Sequence, residues 1–388
     1  MAHSNTILHQ LLQLVPRHRF DSIAQHFKAD HYTKSFDAWN HLTTLLYAQA
    51  GGKTSLRDIH NGLATHASRG YHLGLSGPVP RSTLADANAK RDWRVYEKLF
   101  YEILSRCRTL TPKHKFRFKN PLYSLDATVI DLCLKTFPWA KFMARKGALR
   151  LHYQFDHGGE IPTFLSVTDG KRHEISVAKE SIPIIPDSIY CFDKGYIDYA
   201  WLSRITDGGA FFVTRAKENL VASFLGQQER PRGKGIVYDW IVEKGGHYAS
   251  KDYPDPLRLI GFWDPEAECY LEFMTNNFDL AAATIDQIYK ARWQIEIFFK
   301  WIKQNLRIKS FLGTSQNAVM TQIWVAMCYY LLLAYVKYQT RYKQSLFYLH
   351  RIVRETLLEK TSLLDLLNLS ERRLQRFKSH DPQLCLQL

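Results

Sequence analysis

The chain has 388 residues, 46% of them hydrophobic and 13% aromatic, which allows a large core in two or three domains and excludes a disordered chain. Its 52 Lys+Arg against 37 Asp+Glu leave a formal net charge of +15, pointing to a polyanionic partner, nucleic acid first and an anionic membrane surface second. Six scattered cysteines, with no CxxC and no zinc-finger spacing, exclude a disulfide scaffold and fit a reducing cytoplasm.

Residues 1–20 lack the basic start, apolar run and cleavage site of a secretory signal. Up to about residue 110 the chain reads as helical, with 3.6-residue apolar periodicity over 8–15, 36–49, 55–66 and 82–110. Ser55-x-x-Asp58 and Thr83-x-x-Asp86 have the form of N-terminal capping boxes. Beside them stand Arg57, Arg81, Lys90, Arg91 and Arg94, so this region is either a helix-turn-helix reader of DNA or an ordinary helical bundle.

From Pro121 the texture changes to strands. Residues 123–133 form a first strand with Asp126, Thr128 and Ile130 on one face and Leu125, Ala127, Val129 and Asp131 on the other. A carboxylate in an apolar strand is costly to bury unless paired or bound to metal, so Asp126 is a satisfied structural group or a metal ligand; Asp131 is expected in solvent. Strands over 148–156 and 162–168, a helix over 173–179 and a fourth strand over 188–192 follow. That strand ends in Asp193-Lys194-Gly195-Tyr196, and a short helix (199–205) and a fifth strand (210–215) come after it.

The order β-β-β-α-β-α-β, then a later helix, is that of an RNase H-like fold, a mixed five-stranded sheet with flanking helices. Between residues 217 and 278, strands over 236–243, 257–263 and 270–276 make a β-rich insertion. Residues 283–309 then read as one helix, opening on a Thr284/Gln287 capping box. Ile288, Ala291, Ile295, Phe298 and Ile302 form its apolar stripe, and Tyr289, Arg292, Glu296, Lys300 and Lys303 lie beside them. The run 323–336 is too short to span a bilayer and is expected to pack under the sheet, which predicts a protein with no membrane span. The tail carries Arg351, Arg354, Arg372, Arg373, Arg376 and Lys378. The expected parts are a helical N-terminal region (1–115), a core first part (119–217), the insertion (218–278), a core second part (279–338) and a basic helical tail (339–388).

Tyr289-x2-Arg292-x3-Glu296-x6-Lys303 resembles the signature around the catalytic glutamate of bacterial insertion-sequence transposases of the DDE class, the insertion-sequence 4 family. Asp193-Lys194-Gly195-Tyr196 is similar to that family's Asp-x-Gly-aromatic motif, and Asp126 falls on the first strand where the family's first aspartate stands. The resemblance implies that Asp126, Asp193 and Glu296 are catalytic and hold two Mg²⁺ ions, for which Mn²⁺ can substitute. It implies that Tyr289, Arg292, Lys300, Lys303, Lys194, Arg81 and Arg91 contact DNA, the last two from an end-binding N-terminal region. It further implies a homodimer acting on double-stranded inverted-repeat ends and target DNA in a bacterial cytoplasm, bound to the nucleoid. An aromatic of the insertion, Trp240 or Trp263, would stack on an extruded base, although Trp in strands is more often core.

Hard cations prefer carboxylate oxygens, and two of them flanking a phosphate suit in-line cleavage and strand transfer. Two alternatives stand beside this one: a catalytically silent DNA-binding regulator or domesticated transposase, and a metal-dependent hydrolase of small phosphate esters. The second leaves the +15 charge without a task.

Overall fold

The computed structural model describes residues 5–75, 77–143, 146–228, 235–245, 251–306 and 311–380. They fall into two compact units: Met1–Pro112 with Leu132–Trp139 and Trp301–Leu388, and Lys113–Asp131 with Ala140–Lys300.

In the first unit the helices are α1 (Ile7–Gln13), α2 (Arg17–His26), α3 (Ala38–Ala50), α4 (Leu56–Thr65), α5 (Ala67–Gly70), α6 (Arg81–Lys90) and α7 (Arg94–Arg108). Ser55 caps α4 by accepting from Asp58 N, as expected. The other expected box does not form, because α6 begins at Arg81 with Pro80 as its cap, a residue whose fixed φ suits a helix start. Residues 66–80 hold α5 and a 3₁₀ turn, so α4 and α6 are not joined by the few-residue turn of a helix-turn-helix.

The second unit carries β1 (Leu122–Leu132), β2 (Lys141–Met143), β3 (Lys146–Asp156), β4 (Ile161–Asp169), α8 (Glu174–Ser181), β5 (Ile189–Cys191), α9 (Tyr199–Asp207) and β6 (Phe211–Arg215). Then come β7 (Ala222–Gln227), β8 (Ile236–Lys244), β9 (Leu257–Asp264), β10 (Cys269–Thr275), α10 (Ala282–Ala291) and α11 (Trp293–Asn305), the last of which crosses from this unit into the first at residue 301. The remaining helices, α12 (Gln316–Gln339), α13 (Leu346–Thr356) and α14 (Leu363–His380), belong to the first unit; the side chains of Arg373, Arg376 and Lys378 lie outside the described residues.

The sheet runs β3-β1-β5-β6, with β4 on β3. β3 and β4 are antiparallel, while β1 with β5 and β5 with β6 are parallel. This is the RNase H-like order. It does not stop at five strands: β10 pairs antiparallel with β6, and β9, β8 and β7 follow, so the insertion extends the same sheet to ten strands among the described residues.

Each face of the sheet has its own core. Leu125, Tyr190, Phe192, Phe212 and Leu259 meet Trp201 of α9 on one side. Leu122, Ile189, Val213 and Phe273 meet Ile285 and Ile288 of α10 on the other. Alternate residues of β1 divide between these two cores, as the period of two requires.

Three expectations change. The helix expected over 283–309 begins at Ala282, with Ala281 as cap and no side-chain cap bond, so the Thr284/Gln287 box does not form. It also breaks at Arg292, where Arg292 N bonds Tyr289 O and Ile295 N bonds Arg292 O, tightening the turn to i→i−3. Finally, α12 is 24 residues long and apolar enough to cross a membrane by length, but 94% of its most apolar window is buried. Its neighbours are helices: Trp324 stacks on Trp93 at 6.4 Å and lies 5.4 Å from Phe100 of α7. A helix apolar on every side needs cover on every side, which surrounding helices supply.

Candidate active site

Leu122, Tyr123 and Ser124 of β1 pair with Ile189, Tyr190 and Cys191 of β5, each partner 67 positions on. The same offset carried two residues past the last pair points Asp126 toward Asp193, and the two carboxylates interact electrostatically. By strand parity both belong to the face whose core includes Ile285 and Ile288 of α10. Asp131, near the end of the strand, is exposed, as expected.

Asp193 caps the short 3₁₀ turn Lys194–Tyr196, its Oδ1 accepting from Gly195 N at 2.9 Å. A Cβ on Gly195 would stand 3.0 Å from that oxygen, so glycine preserves the close approach. Tyr196 is buried against Phe192 and Trp201 and pins the turn to the opposite core. The motif is thus a carboxylate, a gap and an anchor.

The break at Arg292 aims its guanidinium at two carboxylates. Nη1 donates to Asp126 Oδ2 at 3.2 Å and Nη2 to Glu296 Oε1 at 2.9 Å. Nε is buried with no hydrogen-bond partner. The guanidinium also lies 5.6 Å from the Tyr289 ring, which packs on Phe273 at 5.2 Å. Asp126 has an 18% exposed side chain. Burial pushes its carboxyl up to about 7, against the pull of the Ala127 N–H and Arg292 and with a further push from Glu174 and Asp193. Among the described residues no three acidic, His or Cys groups are placed to hold an ion, and Arg292 spans Asp126 and Glu296 instead.

A family model described as Transposase DDE domain matches residues 117–332, more than half of the chain. This chain belongs to the DDE transposase family. A second model, a domain of unknown function (DUF4372), matches residues 3–76. A Sinorhizobium fredii protein named as transposase y4zB is 34% identical over 69% of this chain and 75% of its own length. The transposase of insertion sequence element IS5377 from Geobacillus stearothermophilus is 26% identical over 72% and 74%. Among solved structures, a piggyBac transposase synaptic complex with hairpin DNA covers 92% of this chain and 76% of its own at 9% identity and a TM-score of 0.44. Membership of the DDE transposase family makes the chain a DNA-acting enzyme of a class that depends on divalent metal.

The other predicted site residues of this transposase are scattered. Lys194 is exposed and pairs with Glu218 at 3.4 Å; Lys300 is exposed on α11, and Lys303 follows on the part of that helix counted with the first unit. Arg81 is exposed and borders a shallow depression with Arg57, Thr54 and Ser82. Arg91 is not available to DNA: it is buried, donating to Ala29 O at 3.0 Å and Phe36 O at 2.8 Å, and serves the fold. Trp240 and Trp263 are surface residues, 38% and 45% exposed, rather than core. Trp240 stacks on Tyr238 at 3.9 Å. Trp240 pairs with Leu259, and Trp263 shares its strand parity, so both lie on the sheet face opposite Asp126 and Asp193.

Sequence reasoning missed two supports. Glu174, in the first turn of α8, interacts electrostatically with Asp126 and Asp193, pairs with Arg150 at 3.6 Å, and has its carboxyl raised by burial. A chain that starts in the core joins buried Ser124 Oγ to His157 Nε2 at 2.6 Å and His157 Nδ1 to Oε1 of exposed Gln294 at 3.0 Å. It ties the strand of Asp126 to the helix of Glu296, each through a residue two positions before the carboxylate. Ser124 sharing the Asp126 face was the one legible signal; His157 and Gln294 gave none.

Proposed function

We propose that this transposase cuts DNA at the inverted-repeat ends of an insertion sequence of the insertion-sequence 4 type and joins them to target DNA, with Asp126, Asp193 and Glu296 as its metal-holding carboxylates. What supports this is the company of Asp126: it interacts electrostatically with Asp193 and shares the Arg292 guanidinium with Glu296. The donor set is all carboxylate oxygen, the chemistry that hard divalent cations take: Asp126 is largely buried and feels Asp193, and Arg292 now stands as the counter-charge to Asp126 and Glu296. A pair of Mg²⁺ ions there would activate the attacking oxygen and neutralise charge on the leaving one.

The chain's own residues supply the rest. Arg292 neutralises Asp126 and Glu296 before loading, and its two-pronged guanidinium then suits the phosphate beside the scissile bond. Tyr289 holds that guanidinium over its ring, and Lys194 and Lys300 offer point charges to the flanking backbone. Gln294 and His157 keep the Glu296 helix against β1. Two copies would hold paired ends.

Purified protein incubated with end-bearing duplex and Mg²⁺ should nick it, and Glu296→Gln should not. Equal cleavage by both proteins overturns the assignment. Retention of DNA without turnover in any divalent metal returns the reading to a silent DNA-binding regulator.

A further inference from the structure

We infer that residues 113–119 are a rail for the phosphate backbone of duplex DNA, built onto the sheet unit just before the strand of Asp126. The segment reads Lys-His-Lys-Phe-Arg-Phe-Lys. Lys113, Lys115, Arg117 and Lys119 are exposed, while His114, Phe116 and Phe118 between them are half-buried. Among the described residues, none of the four cations pairs with a carboxylate.

A run of charge is ordinarily a solvated stretch with no task, and anchoring is what separates this one from that case. Phe116 and Phe118 stack at 5.2 Å and pack on the core that holds Leu122, Ile189, Phe273 and Ile288. The His114 ring lies 4.6 Å from Phe118, and its Nε2 donates to Asn120 O at 2.7 Å. Asn120 Nδ2 donates in turn to Asp187 O at 2.7 Å, and Ile189 N donates to Pro121 O at 2.8 Å. The rings are half-buried and the backbone is fixed where the segment runs into β1, which leaves the four cations exposed between them.

Four like charges over seven residues repel one another unless a polyanion lies along them. Holding them in place beforehand lowers the ordering cost of binding that polyanion. Phe116 and Phe118 pack on the same core as Tyr289, so the rail belongs to the face of the sheet where the carboxylates stand. Duplex DNA is the polyanion that this face meets if the chain acts as proposed above, and the inference rests on that reading. Contacts from Lys and Arg to phosphate carry no sequence preference.

The test replaces all four cations by Gln, Lys113→Gln with Lys115→Gln, Arg117→Gln and Lys119→Gln, and measures anisotropy of a fluorescent duplex of arbitrary sequence across a salt series in EDTA. Each phosphate contact contributes about 0.9 to the slope of log K against log salt. The variant's slope should be shallower by about three to four, equally for arbitrary and end-bearing duplex, with the thermal midpoint unchanged because the rings remain. An unchanged slope in a folded variant overturns the rail, as does a loss confined to binding of phosphatidylserine vesicles. Nicking by the wild type is scored separately with Mg²⁺. A shallower slope without nicking supports the rail and counts against the catalytic reading, whereas nicking with an unchanged slope does the reverse.

Discussion

Arg258 and Arg292 both face carboxylates in the sheet unit, the first buried and fully engaged, the second half-buried and not. Arg258 Nε and Nη2 grip the two oxygens of Asp239 at 2.8 and 2.7 Å, and Nη1 donates to Asn277 O and Leu280 O. All three nitrogens have a partner, and the pair locks the loop from which α10 starts. Arg292 instead divides its two Nη groups between Asp126 and Glu296 and leaves Nε orphaned. Around it stand more carboxylates than it can neutralise, with Asp126 pushed up to about 7 by burial and by Glu174 and Asp193 beside it. A pair with every donor taken is structural; an orphan donor alone does not distinguish Arg292, since Arg91 has one too, but the surplus of carboxylates around it does.

The contrast can be broken most decisively at Asp126. Asp126→Asn should lower metal-dependent nicking a thousandfold or more, about 4 kcal/mol of barrier, while thermal unfolding shows stability unchanged or raised. Equal nicking would show that the open pair is only structural. Asp239→Ala should do the opposite, costing about 3–5 kcal/mol in urea unfolding, because it strands the buried Arg258 charge. A cost under about 1 kcal/mol would remove the distinction between the two arginines.

A smaller effect is expected from Arg292→Gln. With the counter-charge gone, Asp126 and Glu296 should bind terbium about tenfold more tightly without DNA, read by luminescence, or about 1.4 kcal/mol. Weaker binding would mean that Arg292 does not compete for the site.

The pH dependence sharpens the same point. The Asp126 carboxyl is raised, so it carries a proton below about 7 and must lose it to bind a cation. Terbium affinity should therefore weaken as pH falls from 7, approaching tenfold per unit, and Asp126→Asn should flatten that dependence. An identical pH profile in wild type and variant would assign the proton to another group.

Much of the site was legible before any tertiary information. Asp126 on the inward parity of β1, the cap of α4 at Ser55, and the Asp193-Lys194-Gly195-Tyr196 turn all follow from local rules, a period of two or a cap three residues from its partner. Of the apolar stripe, Ile288, Ile295, Phe298 and Ile302 are buried as a period of 3.6 requires, and Ala291, next to the helix break, is half-buried. These determinations need only residues a few positions apart, which the chain itself specifies.

Other features depended on residues far apart in sequence. The 67-residue offset that pairs β1 with β5, the joining of β10 to β6, and the company of helices around α12 are pairings that no local period encodes. Arg81 and Arg91 read alike as cations on one helical stretch, yet Arg91 is buried by Ala29 and Phe36, some sixty positions away. Trp240 and Trp263 were placed by strand parity on the face away from the carboxylates only once the register of β8 and β9 was known. Periodicity assigns a side chain to a face of its own element, while the burial of that face depends on which distant element packs against it.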